Sequence, residues 1–245
     1  MFETVFILII GLISGFLGGI VGGGGMITIP ALIAIGIPPQ VAIATNKIGD
    51  VGTFSVAVKE YYQAKKINFK IAALLSIFAV VGSFIGAGVM AVVDSASLAG
   101  IIGIVILVAL PFLYSAKGAG IKRKSVSSLK KHIGMVVYFC ISIISAMLGA
   151  GTGTIALLAM VYFFGMTFRK GYGTIVVPEL ILSLIPAVIY FSYGFVNIEF
   201  AIVLLIGNII GSFIGARTAL KKGDLWVKHV FTVVVILLGV KILFF

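Results

Sequence analysis

Acidic residues are scarce in this chain: seven Asp and Glu among 245 residues, against eighteen Lys and Arg. Charged residues of both signs make up only 10%, where soluble domains carry about 25%, which excludes an ordinary soluble globular domain. Cysteine occurs once, at Cys140, so no intrachain disulfide can form. The two histidines, His132 and His229, each sit beside a lysine, a poor setting for a metal pair. No glycine run leads into the Lys-Ser/Thr of a nucleotide-binding loop, and no Ser-His-Asp or paired-carboxylate spacing stands out. Neither a metal, a cofactor nor an enzyme is expected.

What fills the chain is apolar: 61% hydrophobic residues, with a mean hydropathy of +1.29. Runs of about 20 apolar residues, the length that crosses a bilayer, recur from end to end. The reading is an all-α, polytopic helical membrane protein. The net charge of +11 collects in a few loops, as topology alone would arrange it, so no nucleic acid is expected as a partner. The first residues, MFETVFILIIGLISGF, lack the basic start of a cleavable signal and read as a retained helix.

The chain repeats itself. GSFIGA stands at 82–87 and again at 211–216, 129 residues apart. At the same offset Thr45 matches Thr174, Tyr61 matches Tyr190, Asn68 matches Asn197, and Asp50 matches Glu179. Near the start of each half the offset grows by two, aligning SGFLGGIVGGGG from Ser14 with SAMLGAGTGTIA from Ser145. Each half parses as a glycine-interrupted or re-entrant short helix plus three long spans. The expected segments lie near 4–21, 26–36, 41–62, 68–92 and 97–115, then 132–149, 154–166, 171–193, 197–219 and 226–245. The domains are a first repeat at 1–116, a basic cytoplasmic linker at 117–131 and a second repeat at 132–245.

Charge sets the orientation. Lys59, Lys65, Lys66 and Lys70 flank the loop whose counterpart, GFVNIE at 194–199, has no base. The VDSAS loop at 93–97 has none, whereas its counterpart carries Arg217, Lys221, Lys222 and Lys228. The bias reverses between halves, so the repeats are expected to be inverted, with both termini outside the cytoplasm.

Gly22, Gly23, Gly24 and Gly25 in one half, and Gly151, Thr152, Gly153 and Thr154 in the other, put non-helical backbone at membrane depth. Such backbone must be shielded by protein or line a wet cavity. The short helix that follows turns its N-terminal N–H groups toward the loop, a natural seat for an anion. Gly82, Gly86, Gly211 and Gly215 instead read as close-packing positions. Inside the spans, IATNKIGD places Thr45, Asn46 and Lys47 as anion ligands, with a structural Lys47–Asp50 pair, or a snorkelling lysine, as the competing reading. Thr174 joins them by the repeat. Asp50 and Glu179 are candidates for proton coupling, Glu179 having no base at helical spacing.

SGFLGGIVGGGGMITIPALIAIGIPPQVAIATNKIGDVGTFSV, from Ser14, resembles the opening signature of the sulfite exporter TauE/SafE family, also called the toluene sulfonate uptake permeases. The resemblance covers essentially the whole chain. It implies a secondary transporter of a small sulfur-containing anion such as sulfite or a sulfonate, in the cell membrane. Asn46 and Lys47 follow the AT dipeptide where the family often has serine, so specificity does not transfer with the likeness. The expected partners are the anion, the lipid bilayer and, as a candidate, a second copy of the chain. Two other classes stay open: a passive anion channel, and a membrane assembly protein that transports nothing.

Overall fold

The computed structural model describes residues 2–94, 97 and 120–244, and its described elements are helical. They are α1 (Phe2–Val21), α2 (Gly25–Ala34), α3 (Pro39–Gln63), α4 (Phe69–Val92), α5 (Ser128–Leu148), α6 (Thr152–Phe164), α7 (Phe168–Ser192), α8 (Ile198–Lys222) and α9 (Asp224–Phe244). The span expected near 97–115 lies outside the described residues, apart from Ser97. Where the linker was expected to run to residue 131, α5 already begins at Ser128. Ser127 caps it by accepting the Lys130 N–H at 3.3 Å.

Five helices among the described residues are long and apolar enough to cross a membrane: Glu3–Val21, Phe69–Val92, Ser128–Leu148, Phe168–Ser192 and Ile198–Lys222. This is a multi-pass helical membrane protein. Helix α3 matches them in length with 25 residues, but it carries Lys47, Asp50, Lys59 and Glu60. Three of these are covered by protein, Lys47 at 2% exposed, Asp50 at 6% and Glu60 at 5%, while Lys59 near the end of the helix is exposed. Outward residues such as Ile9 and Ile13 on α1, Ile77 and Phe84 on α4, and Ile202 and Ile206 on α8 are exposed and apolar, the surface a bilayer covers.

The helices pack in exchanged pairs. Helix α1 lies along α8 and α5 along α4; α3 packs on α8 and α7 on α4; α3 and α7 meet each other. The GSFIGA glycines make the first two contacts close. A Cβ on Gly86 would run into the Ile143 carbonyl of α5, and one on Gly215 into the Phe16 carbonyl of α1. Backbone against backbone is how helices associate when lipid offers no hydrophobic gradient.

Two hydrogen bonds tie the halves in the same exchanged manner. The Asn68 N–H donates to Thr174 Oγ1 at 3.2 Å, and the Asn197 N–H to Thr45 Oγ1 at 3.1 Å. Asn68 and Asn197 in turn cap α4 and α8, accepting from the N–H of Ile71 and Phe200.

The short helices are 10 and 13 residues long, about 15 and 20 Å, well under a hydrocarbon core. Gly22 ends α1 with φ +76°, a left-handed turn that side-chain-bearing residues adopt at a cost. Helix α2 then doubles back on α1, with Thr28 Oγ1 donating to Ser14 Oγ at 2.7 Å. Gly149 and Gly151 make the equivalent break before α6, where Thr152 Oγ1 donates to Ser145 Oγ at 2.9 Å. The two breaks touch: a Cβ on Gly153 would lie 2.8 Å from the Gly22 carbonyl oxygen.

Candidate functional site

Between two apolar clusters runs a polar layer. On α3 it separates Ile43 and Ala44 of one cluster from Phe54 and Ala57 of the other. On α7 it separates Val176 from Tyr190. The layer encloses a pocket lined by Gly18, Gly22, Gly24, Gly25, Lys47, Asp50, Thr53, Phe54, Ser145, Gly149, Gly153, Glu179 and Ser183. Both halves contribute to it, and so do the N-termini of both short helices. Its volume is about 10 Å³, the room one water needs. In this conformation the pocket is closed.

Lys47 is the pocket's cation. Its Nζ donates to the backbone carbonyls of Ser145, at 2.6 Å, and Leu182, at 3.2 Å. The Leu182 carbonyl is free for this because its helical partner four residues on is Pro186, which has no N–H. The proline in α7 thus presents a carbonyl to a lysine from the other half of the chain. Neither competing sequence reading describes this arrangement. Lys47 does not snorkel, and the ion pairs found among the described residues, Arg169–Asp224 and Arg217–Glu60, lie elsewhere.

The carboxyls are held separately. Asp50 Oδ2 accepts from Asn46 Nδ2 at 2.8 Å. Glu179 Oε2 accepts from Ser145 Oγ at 3.2 Å, while its Oε1 is buried with no hydrogen-bond partner. Asn46 Oδ1 and Thr53 Oγ1 are buried and unpartnered too. Unsatisfied polar atoms at such depth are costly, and two of these residues, Thr53 and Glu179, line the pocket. Ser145 is the hub: its carbonyl serves Lys47, and its hydroxyl joins Thr152 to Glu179.

Of the predicted site residues, Gly22, Gly24, Gly25, Lys47, Gly153, Asp50 and Glu179 come together at the pocket. Asn46 stands just behind it, bonded to Asp50. Gly23 faces Val234 and Thr154 instead, and Thr154 Oγ1 donates to the Val21 carbonyl at 3.2 Å, pinning one break to the other. Gly151 caps α6, and Thr152 reaches the site through Ser145 and the Gly149 carbonyl. Thr45 and Thr174 do not line the pocket, since their hydroxyls accept the N–H groups of Asn197 and Asn68. Sequence reasoning missed Gly18, Thr53, Phe54, Ser145, Gly149 and Ser183. Ser145 carried a signal in its alignment with Ser14 in the repeat, and Gly18 and Gly149 in their places in the two aligned glycine runs. Among the described residues no group of three His, Cys, Asp or Glu is placed to hold a metal ion.

The chain matches the family described as "Sulfite exporter TauE/SafE" over residues 7–242. It belongs to that family. Among its TauE/SafE relatives, a "Probable membrane transporter protein" of Haemophilus influenzae is 26% identical over 236 residues, 96% of this chain and 92% of that protein. "Probable membrane transporter protein YfcA" of Escherichia coli K12 is 27% identical over 244 residues, 96% of this chain and 87% of YfcA. "Probable membrane transporter protein YunE" of Bacillus subtilis is 24% identical over 267 residues, covering 99% and 98%. No solved structure matches the chain. As a TauE/SafE protein it is a membrane transporter and not an enzyme.

Proposed function

We propose that the chain is a secondary transporter of a small anion, a sulfur oxyanion or sulfonate, in the cytoplasmic membrane. It works by alternating access about the central pocket. The observation that carries this reading is Lys47: a cation 2% exposed, held by two carbonyls between the glycine breaks of both halves. A buried ammonium beside two helix N-termini favours an anion once the neighbouring carboxyls are protonated. The sealed pocket supports a carrier over an open channel, since a channel keeps a continuous wet path.

The exchanged helix pairs support two repeats that rock against each other, and the reversal of the basic loops between the halves supports their inverted topology with both termini outside the cytoplasm. Coupling follows from charge. With Lys47, Asp50 and Glu179 all ionised, the pocket holds one positive and two negative groups, which repels an anion. Protonating the carboxyls reverses the sign, so anion binding draws in protons and strengthens at acid pH.

The test is uptake into proteoliposomes of sulfite, sulfate, taurine, sulfoacetate and small carboxylates, with and without a pH gradient. Saturable uptake of one sulfur anion, driven by acid on the side of entry, is expected. Flux of carboxylates alone would overturn the substrate class, and flux that ignores the gradient would overturn the coupling.

A further inference from the structure

A second cavity, of about 710 Å³, opens at one end of the molecule, far larger than the central pocket. Four segments build it: the α3–α4 turn with Lys66 and Asn68, the start of α5 with Lys131, the α6–α7 turn through Lys170, and residues 123–126 of the linker. Lys66, Arg123, Lys124, Lys131 and Lys170 line it, and among the described residues no acid does. None of the five belongs to an ion pair found among the described residues. The neighbouring Arg169, by contrast, is held by Asp224, with Nη2 and Oδ2 at 2.9 Å.

Retention of basic loops on one side of a membrane accounts for the charges but not for the cavity. A loop kept only for its charge would be solvated. This one is docked as a strap: the Lys124 N–H donates to the Gly165 carbonyl at 2.9 Å, and the Phe168 N–H to the Gly120 carbonyl at 2.8 Å. Those bonds hold Arg123 and Lys124 opposite the half-buried Lys66 and Lys170. Nor does the fold require the feature. At the repeat-equivalent positions Lys66 becomes Phe195, Lys170 becomes Val41 and Thr167 becomes Pro38, so the repeat does not carry these lining residues over.

The lining also has an apolar part, Ile71, Val126, Phe164 and Met166, beside the hydroxyls of Ser125 and Thr167. A bare oxyanion leaves such a volume mostly empty. Small-molecule sites run from about 300 to 1,000 Å³ and combine an apolar wall with a few charged anchors. The mutual repulsion of five cations around one cavity is relieved by a multiply charged anion. We propose that this cavity binds an organic phosphate, its phosphate at the lysines and arginine and its less polar body against Ile71, Phe164 and Met166. Its occupancy is separate from that of the central pocket: Lys170 and Glu179 are nine residues apart on α7, about 13 Å along the axis. Two sources offer this chemistry, a soluble phosphorylated metabolite and an anionic phospholipid headgroup.

The full-length protein in detergent, stripped of lipid, is titrated with inorganic pyrophosphate and with ATP by calorimetry. In parallel, protein taken from vesicles of equal phosphatidylglycerol and phosphatidylcholine is weighed by native mass spectrometry for retained lipid. Both arms compare the wild type with Lys66→Gln/Lys170→Gln, and with Lys221→Gln/Lys222→Gln, which removes the same charge outside the cavity. Saturable ATP or pyrophosphate binding, weakened about tenfold or more only in the first variant, assigns a soluble phosphate. Retained phosphatidylglycerol, lost only in that variant, assigns a headgroup. No binding in either arm, or equal loss in both variants, overturns the proposal. Lys47→Met is expected to bind pyrophosphate as the wild type does. Loss there instead places the phosphate in the central pocket and also overturns it, so this site and the transport reading fail separately.

Discussion

Replacing Lys47 with methionine removes the central cation while keeping most of its length and volume. An anion seated about 4 Å from Nζ, at an effective dielectric of about 20, gains roughly 4 kcal/mol from that charge. Loss of that term weakens binding about a thousandfold. Stability responds less. The Ser145 carbonyl keeps its Gly149 N–H at 2.9 Å, but the Leu182 carbonyl is left without one, because Pro186 offers none. That orphan costs about 1–3 kcal/mol, offset by relief from burying an ammonium. Lys47→Met is therefore expected to elute as monodisperse protein with a thermal midpoint near the wild type, and to lose kcat/KM for the transported anion by about a thousandfold. The assay is initial uptake in proteoliposomes over a concentration series. Folded Lys47→Met with kcat/KM within about threefold of the wild type would refute the reasoning.

Other substitutions probe the same frame. Pro186→Ala returns an N–H to the Leu182 carbonyl, in competition with Lys47, and removes a helix breaker that costs up to about 3 kcal/mol. A raised thermal midpoint with uptake lowered about tenfold is expected, and unchanged uptake would sever the link from proline to lysine. Gly153→Val drives a side chain at the Gly22 carbonyl, 2.8 Å from the ideal Cβ, where backbone faces backbone. A loss of about 1–3 kcal/mol in stability, together with abolished uptake, is expected by thermal unfolding and flux. Asn68→Ala and Asn197→Ala each remove one helix cap from equivalent places, so each is expected to cost about 1 kcal/mol. A clear inequality between them in thermal unfolding would count against equivalent roles. In Glu179→Gln, uptake of the anion is expected to persist while its response to a pH gradient falls away, and an unaltered response would remove Glu179 from the coupling.

Helix boundaries were legible because apolar runs, glycine breaks and caps are local signals; α3 through α8 begin and end within about four residues of the expected limits. The packing role of Gly82, Gly86, Gly211 and Gly215 was legible for the same reason. Thr45 and Thr174 show where local reading stops. The repeat marked them as equivalent polar residues in apolar spans, but their partners are N–H groups 152 and 106 positions away. Nothing in a single span announces that. Pro186 was readable as a kink, whereas its consequence, a carbonyl offered to Lys47, needed the juxtaposition of α3 and α7. Ser145 was hidden because serine is common in membrane helices, and only its place between Lys47, Thr152 and Glu179 makes it a hub.

The central claim is a pocket closed in this conformation and opened alternately to the two sides of the membrane. Ser183 lines that pocket and the chain has a single cysteine, so Ser183→Cys in a Cys140→Ser background gives one thiol at the site. Its modification by a membrane-impermeant thiol reagent, applied to each side in turn, measures access directly. The account predicts labelling from both sides, slowed from both by the transported anion. Labelling from one side only, whatever the anion and gradient, would contradict it.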